Sequence, residues 1–459
     1  MKRRKRSTPT VIRLAGYAED VRLLLSFFVL GSIALAGAIT VACNDVEARA
    51  LDEEEEDAGA GDVEVDAIAP PPPVELGRHA VMIADTRKVV PSPGLPPGAP
   101  ALTSNNNLDV IRFAGRVWLA YRTAPDHFAS TETKMVLVSS EDETTWRLEK
   151  VFATGTDLRE PRWLVVGTSL FFYASQLGTD PGKFEPKGVF WSTRDHETFT
   201  ELAPVKRTGD GDAAAAQPMT GYIAWRTKTV KGTPYMSAYL GGEHIYTFSG
   251  QPLDVELLTT EDGVTWTGAN PTKPVVSRGG GSEMDFTFGD DGTLFAVIRN
   301  EAGDETGWGS KICRAPASDI ATWTCKTDKK KYDSPLVFSY DGEVYLVGRR
   351  NVSASGNYDI GTRDSTNASS TLAMQIDYRK HPKRCALWRY VQNEDRIAYV
   401  LDLPSKGDTC FASAIAGASN DELVLYDYSS DVEGPELSWA EGQVGPTFVY
   451  RHTLKFVRR

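Results

Sequence analysis

Six stretches of the chain alternate apolar and polar residues, turn at a glycine or a polar pair, and alternate again. They are LDVIRFAGRVWLAYR, REPRWLVVGTSLFFYAS, IAWRTKTVKGTPYMSAYL, EMDFTFGDDGTLFAVIR, SPLVFSYDGEVYLVGRR and FASAIAGASNDELVLYDYS, with turns at Gly115, Gly167, Gly232, Gly292, Gly342 and Asn420-Asp421. Period-two alternation rich in Val, Tyr, Phe and Leu around a turn residue predicts a β-hairpin in each. Successive turns lie about 50 to 80 residues apart, enough for one four-stranded sheet per hairpin. Sheets that cannot bury both faces alone are expected to pack around an axis, giving an all-β, six-bladed β-propeller over residues 79–459. A strand from residues 78–90 is expected to close the ring and remove its free edge.

Composition agrees: 40 glycines, 26 prolines and 10% aromatic residues favour short strands and turns over long helices. The net charge of −12 changes the picture little, because residues 51–66 (LDEEEEDAGAGDVEVD) alone carry nine acids and no base. The remainder is mildly acidic and carries no basic footprint for nucleic acid. Before residue 79 the pattern is of another kind. MKRRKR precedes twenty uncharged residues, 23–42, that end at Cys43. A basic start, an apolar run and small residues before a cysteine resemble a bacterial lipoprotein signal, which implies lipidation of Cys43; the same run is long enough for an uncleaved membrane anchor. Either form tethers the rest of the chain to a membrane outside the cytoplasm, at an outer membrane or cell surface. Residues 44–78, acidic and then proline-rich, read as a disordered linker. Four cysteines remain, Cys313, Cys325, Cys385 and Cys410, an even number that suggests two disulfides in an exported chain, the short 313 to 325 loop foremost. No CxxC or His/Cys spacing suggests a metal, and no cofactor is expected.

A second repeat lies between the hairpins. Ser139-x-Glu141-x-Glu143-x-Thr145-Trp146 and Thr259-x-Glu261-x-Gly263-x-Thr265-Trp266 share one frame, and Ser192-x-Arg194-x-His196-x-Thr198-Phe199 is a worn copy. The frame resembles the Asp-box, a structural turn of the sialidase superfamily in which a hydroxyl and a carboxylate bond the turn backbone and a Trp packs between strands.

In a propeller the leading residues of the innermost strands converge on one mouth of the central channel. Here they are polar: Asn107 and Asp109, Arg159 and Glu160, Trp225 and Arg226, Glu283 and Asp285, Asp333 and Ser334, Phe411 and Ser413. Acids and arginines from distant parts of the chain suggest a ligand site. Glu283, the Asp291-Gly292 turn and Arg299 resemble the sialidase pattern of glutamate, DG turn and arginine. The resemblance implies that Glu283 supports a tyrosine nucleophile and that Arg299 helps to grip a substrate carboxylate, with Arg122, Arg159 and Arg349 as further guanidinium forks. It also implies an aspartate general acid/base, for which Asp109 is the candidate, and Asp285 and Asp333 as further substrate contacts. The tyrosine position aligns with Phe411, which has no oxygen, so Tyr222, Tyr426 or Tyr428 would have to replace it. Two functions are therefore expected as alternatives. One is a glycoside hydrolase of altered type, using a carboxylate pair such as Asp109 with Glu283 or Asp333. The other is a noncatalytic, monomeric surface protein that binds a carbohydrate, a glycoconjugate or a protein.

Overall fold

The computed structural model describes residues 68–459, apart from 210–215, 248 and 362–367. The segment read as signal or anchor, Cys43 and the linker through residue 67 lie outside the described residues. Each predicted hairpin is present. The first strands are Ser104–Phe113, Leu158–Val166, Tyr222–Val230, Gly281–Phe288, Asp333–Tyr340 and Ser413–Ala416, each paired antiparallel with the strand that follows it. Third and fourth strands extend each hairpin outward, and we call the resulting units A (104–152), B (158–204), C (222–268), D (281–327), E (333–402) and F (413–458). Unit F takes its outermost strand from the start of the described chain. His79–Val90 pairs antiparallel with Thr447–Arg458, as the need for an unexposed edge predicts.

The packing explains why these strands read as they do. Hydrophobic clusters join A to B (Trp118, Phe152, Trp163, Phe172), B to C (Leu164, Tyr173, Met236, Trp266), C to D (Ile223, Leu257, Met284, Phe286) and D to E (Val297, Val337, Leu346, Trp388). Two more join E to F (Leu336, Val347, Leu425, Phe456) and F back to A (Leu108, Val136, Tyr426, Val449). Each sheet is thus covered on both faces, and a strand such as Glu343–Asn351 is buried along its whole length, polar residues included. The hairpin turns of units D and E can be tight because Gly292 and Gly342 adopt left-handed φ of 84° and 73° without a Cβ penalty.

Two boundaries differ from expectation. The folded region begins before residue 78: Glu75 receives Arg396 and Arg389 at 2.7 and 3.0 Å and its N–H bonds the Tyr399 carbonyl at 2.9 Å, so the end of the proline-rich stretch is docked on unit E. The turn frame is also displaced by one residue. Asp142 Oδ1 accepts the N–H groups of Thr144 and Thr145, and Asp262 Oδ1 those of Val264 and Thr265, while Ser140 and Thr260 supply the hydroxyls. Ser139, Glu141, Thr259 and Glu261 do not play these parts, because the turn is one residue shorter than the frame that was read. Trp146 and Trp266 are buried between units, as that turn requires. In the worn copy Ser192 bonds the Thr200 carbonyl without a carboxylate.

Both disulfides form, Cys313 with Cys325 and Cys385 with Cys410. The second ties the third strand of unit E to the segment that enters unit F. Replacing Cys385 and Cys410 together by Ala is expected to cost about 3 kcal/mol by releasing a loop of this length in the unfolded chain. Urea denaturation of the oxidised proteins measures it, and an unchanged midpoint would show that the E–F contact is held by packing alone.

Candidate functional site

The first strands share a deformation near their leading ends. Strand register breaks between Asn106 and Leu108 in unit A, Arg159 and Arg162 in B, Ala224 and Arg226 in C, Gly281 and Met284 in D, and Asp333 and Leu336 in E. These are β-bulges, which insert a residue and re-aim its side chain. Three carry a non-glycine residue with left-handed φ: Asn107 at 37°, Glu160 at 51° and Ser334 at 53°. Such backbone costs on the order of 1–3 kcal/mol each and persists where its surroundings hold it. In units B and E the next residue is a proline, Pro161 and Pro335, whose missing N–H suits an unpaired bulge.

Around these bulges runs a belt of charged side chains. Arg299, at the end of the second strand of unit D, pairs with Glu283 and Glu301 and approaches Asp333 at 3.2 Å. Asp333 also meets Arg349 and Lys331, each at 3.2 Å, and accepts the Tyr378 hydroxyl at 3.1 Å from helix α1 (Ala368–Lys380). Arg349 bonds the Thr409 carbonyl and lies over the ring of Trp439 at 4.7 Å, on helix α2 (Trp439–Val444). Trp439 Nε1 donates to Asp408 at 3.0 Å; Asp408 also receives Tyr428 OH at 3.0 Å and His127 Nδ1 at 2.8 Å. The His127 carbonyl accepts Arg159 at 2.5 Å, and Arg159 is next in the chain to Glu160, whose acidity responds to the charge of Glu283.

A second group of buried side chains ties units B, C, E and F together. Arg162 lies over Phe411 at 4.5 Å and over Trp225 at 5.1 Å, and the two rings meet edge to face at 5.2 Å. Arg226 crosses from unit C to the carbonyls of Pro335 in unit E and Ala412 in unit F. All four side chains are buried.

The electrostatics single out one carboxyl. Burial, reinforced by the charge of Glu283 and opposed by Arg162, Arg159 and a hydrogen bond from Asn107, pushes Glu160 up to about 7. Its Oε2 has no hydrogen-bond partner among the described residues. Asp333 goes the other way: although burial works against ionisation, Lys331, Arg299 and Arg349 hold it below the ordinary range. Lys331, wholly enclosed, is lowered by that enclosure.

Of the residues expected at a ligand site, Arg159, Glu283, Arg299, Asp333 and Arg349 are brought together in the belt. Arg122 borders it through Asp157 and the carbonyls on either side of His127, whereas Asp109 and Asp285 are ties between units. Asp109 accepts the Trp163 N–H at 2.7 Å and the Ser413 hydroxyl at 2.5 Å, joining units A, B and F. Asp285 accepts the Val337 N–H at 2.6 Å and pairs with Lys228 at 2.7 Å, joining C, D and E. Arg122 is wholly buried against Asp157 at 2.7 Å, with Asn106, the Asp126 carbonyl and the Phe128 carbonyl around it. Tyr426 bonds Glu143 and Tyr222 bonds Glu256, both outside the belt, whereas Tyr428 stands within it on Asp408. The sequence reading missed Glu301, Lys331, Tyr378, His127, Asp408 and Trp439, and gave Glu160 no role. The parallel Arg-Glu-Pro and Asp-Ser-Pro at 159–161 and 333–335 were the available signal for the bulges.

Cys385, Cys410 and Asp427 lie close enough to bind an ion, but both sulfurs are committed to a disulfide. No protein-family model matches the chain, and no curated protein does. Among solved structures, a protein of unknown function from Dyadobacter fermentans DSM 18053 is similar over 82% of this chain and 100% of that one, with a TM-score of 0.56 and 13% identity. Trypanosoma rangeli sialidase (TM-score 0.49, 13% identity, 77% of this chain) and phage phi92 endosialidase (0.48, 10%, 83%) are more distant, and at these scores carry no argument. The chain spans 55% of the length of the T. rangeli sialidase structure and 70% of the endosialidase. At this identity the Dyadobacter likeness shows a shared fold, and nothing about activity follows from it.

Proposed function

We propose that units A to F are the blades of a six-bladed, sialidase-like propeller, and that the belt at its mouth hydrolyses a glycosidic bond in a neutral carbohydrate. The cyclic order of hydrophobic clusters from A to F and back to A supports the first part. The second is carried by Glu160, a buried carboxyl on a left-handed bulge whose Oε2 accepts no hydrogen bond and lies 3.8 Å from Arg162, acid enough to give a proton and basic enough to hold it to about 7. Protonating the leaving oxygen of a glycoside needs such a group. Glu283, on the first strand of unit D, supplies negative charge for the oxocarbenium-like transition state.

A neutral sugar is favoured because the belt arginines already face carboxylates. Arg159 has Asp157, Arg349 has Asp333, and Arg299 has Glu283, Glu301 and Asp333. A sialoside carboxylate would have to displace one of these or sit beside it. Two disulfides and the lipoprotein-like start of the chain support an exported, membrane-tethered setting. A noncatalytic glycan-binding role is the second reading, favoured by Phe411, which is buried on Trp225 and brings no nucleophilic oxygen to the position where the sialidase pattern has tyrosine.

A panel of chromogenic glycosides tests the two readings with the full chain. Release from a neutral glycoside, exceeding release from a sialoside and lost in Glu283→Gln, is the expected result. Glycan binding without release from any glycoside would select the second reading.

A further inference from the structure

His127 lies on the loop after the second strand of unit A, and no part of the hydrolase reading has used it. Its Nδ1 is 2.8 Å from Asp408 Oδ2. The other oxygen, Oδ1, accepts Tyr428 OH and Trp439 Nε1, each at 3.0 Å. Asp408 is wholly buried and held below the ordinary carboxylate range; burial opposes this, and the interaction with the His127 ring, the charge of Arg349 and the hydrogen bond from Trp439 favour the carboxylate, the His127 share being only its Nδ1–H bond once the ring is neutral. An ionised carboxylate only accepts hydrogen bonds, so Nδ1 carries the ring proton and Nε2 of the neutral imidazole presents a lone pair. Burial, with Arg159 and Arg122 beside it, keeps that ring neutral against the pull of Asp408. Nε2 has no hydrogen-bond partner among the described residues, and the side chain keeps 18% of its surface exposed. The ring is fixed edge to face against Phe128 and Trp439 at 5.9 and 6.5 Å, while its own carbonyl is gripped by Arg159.

We propose that His127, oriented by Asp408, is the general base that activates water in this site, and that hydrolysis therefore inverts the anomeric centre. The inference rests on the hydrolase reading above. At the position where the sialidase pattern has tyrosine Phe411 has no oxygen, and the Tyr428 phenol, raised well above its ordinary range by burial and by Asp408, is a poor nucleophile at neutral pH. In the step, His127 Nε2 takes a proton from water as its oxygen bonds the anomeric carbon. The glycosidic carbon–oxygen bond breaks with its electron pair going to oxygen, which takes the proton of Glu160. Glu160 ends as carboxylate and His127 as imidazolium against Asp408, and exchange with solvent restores both. The Arg159 side chain, one residue before Glu160 in the chain, reaches the His127 carbonyl, which ties the loop of the base to the strand that carries the acid.

Two measurements on the full chain test it. Ring nitrogen–proton correlation spectra of histidine-labelled protein, with His127 identified by its loss in His127→Asn, are expected to show the proton on Nδ1 at neutral pH. A proton on Nε2 overturns the proposal whatever the activity. On the best substrate of the glycoside panel, proton NMR is expected to show the first-formed sugar with inverted configuration, and His127→Asn to lower kcat by about 10²–10⁴-fold with KM changed far less. Retained configuration, or an undiminished kcat in a folded His127→Asn, overturns the base assignment and leaves the hydrolase reading standing. Failure to cleave any glycoside overturns both. The configuration assay needs no variant, so it decides the matter even if His127→Asn does not fold.

Discussion

Glu160→Gln is expected to abolish turnover and, above pH 7, to make the protein more stable. The amide keeps the shape, the left-handed backbone at φ 51° and an oxygen for Asn107, so the substitution isolates the proton and the charge. Without a proton to give, the leaving oxygen departs unassisted, a loss of about 10²–10⁴-fold. The stability effect follows from linkage. Burial and Glu283 raise the folded value to about 7 from an ordinary 4.5, so the folded state holds a proton that the unfolded state releases. The associated stability is fully present below about pH 4.5 and is lost as pH rises through about 7. Beyond that, ionised Glu160 costs on the order of 3 kcal/mol. Urea midpoints at pH 5 and pH 8 should therefore fall for the wild type and change less for Glu160→Gln. Parallel falls in both proteins would place the titrating group elsewhere. In the active protein kcat should decline on the same alkaline limb, because the acid must be protonated to act.

The opposite fates of Glu160 and Asp109 show what was legible in the sequence. Alternation and turn residues located each hairpin, and within unit D they placed Glu283 and Arg299 at one end, where they pair. Bulges are not written in alternation. One inserted residue reverses which face every later side chain of the strand occupies. Asp109 and Asp285 both follow a bulge, and both end as ties between units. Glu160 sits in one, and an ordinary strand reading gave no reason to prefer it. The His127–Asp408 contact joins loops 281 positions apart, across units A, E and F, and leaves no local trace. The displaced turn frame is the same lesson on a smaller scale, since Ser139 and Ser140 are adjacent hydroxyls and only the backbone geometry selects between them.

Asp157→Ala is expected to be the most destabilising single change at the site. Asp157 is wholly buried and joins two guanidiniums, Arg122 at 2.7 Å and Arg159 at 2.6 Å. Removing one partner of a buried ion pair costs about 3–5 kcal/mol, chiefly because the remaining charge has lost its counterion and cannot reach water. Here Arg122 is fully enclosed, whereas Arg159 keeps 12% of its side-chain surface exposed and is hydrated in part. The penalty should therefore fall mainly on Arg122, and Arg122→Met combined with Asp157→Asn should recover a large part of it. Equal destabilisation by the double substitution would mean that the hydrogen bonds of Arg122 to Asn106 and to the Asp126 and Phe128 carbonyls matter more than its charge. The pH dependence separates this pair from Glu160. Burial raises the Asp157 carboxyl, but Arg122 and Arg159 outweigh it and hold the group below its ordinary range. Its contribution is thus present above the ordinary carboxylate value and is lost only as pH falls through the lowered folded one. Between pH 5 and 8 Asp157 stays charged while Glu160 titrates, so the part of the urea-midpoint change across that window that Glu160→Gln removes reads that acid, and the midpoint difference between wild type and Asp157→Ala at pH 5 reads the Asp157 ion pair.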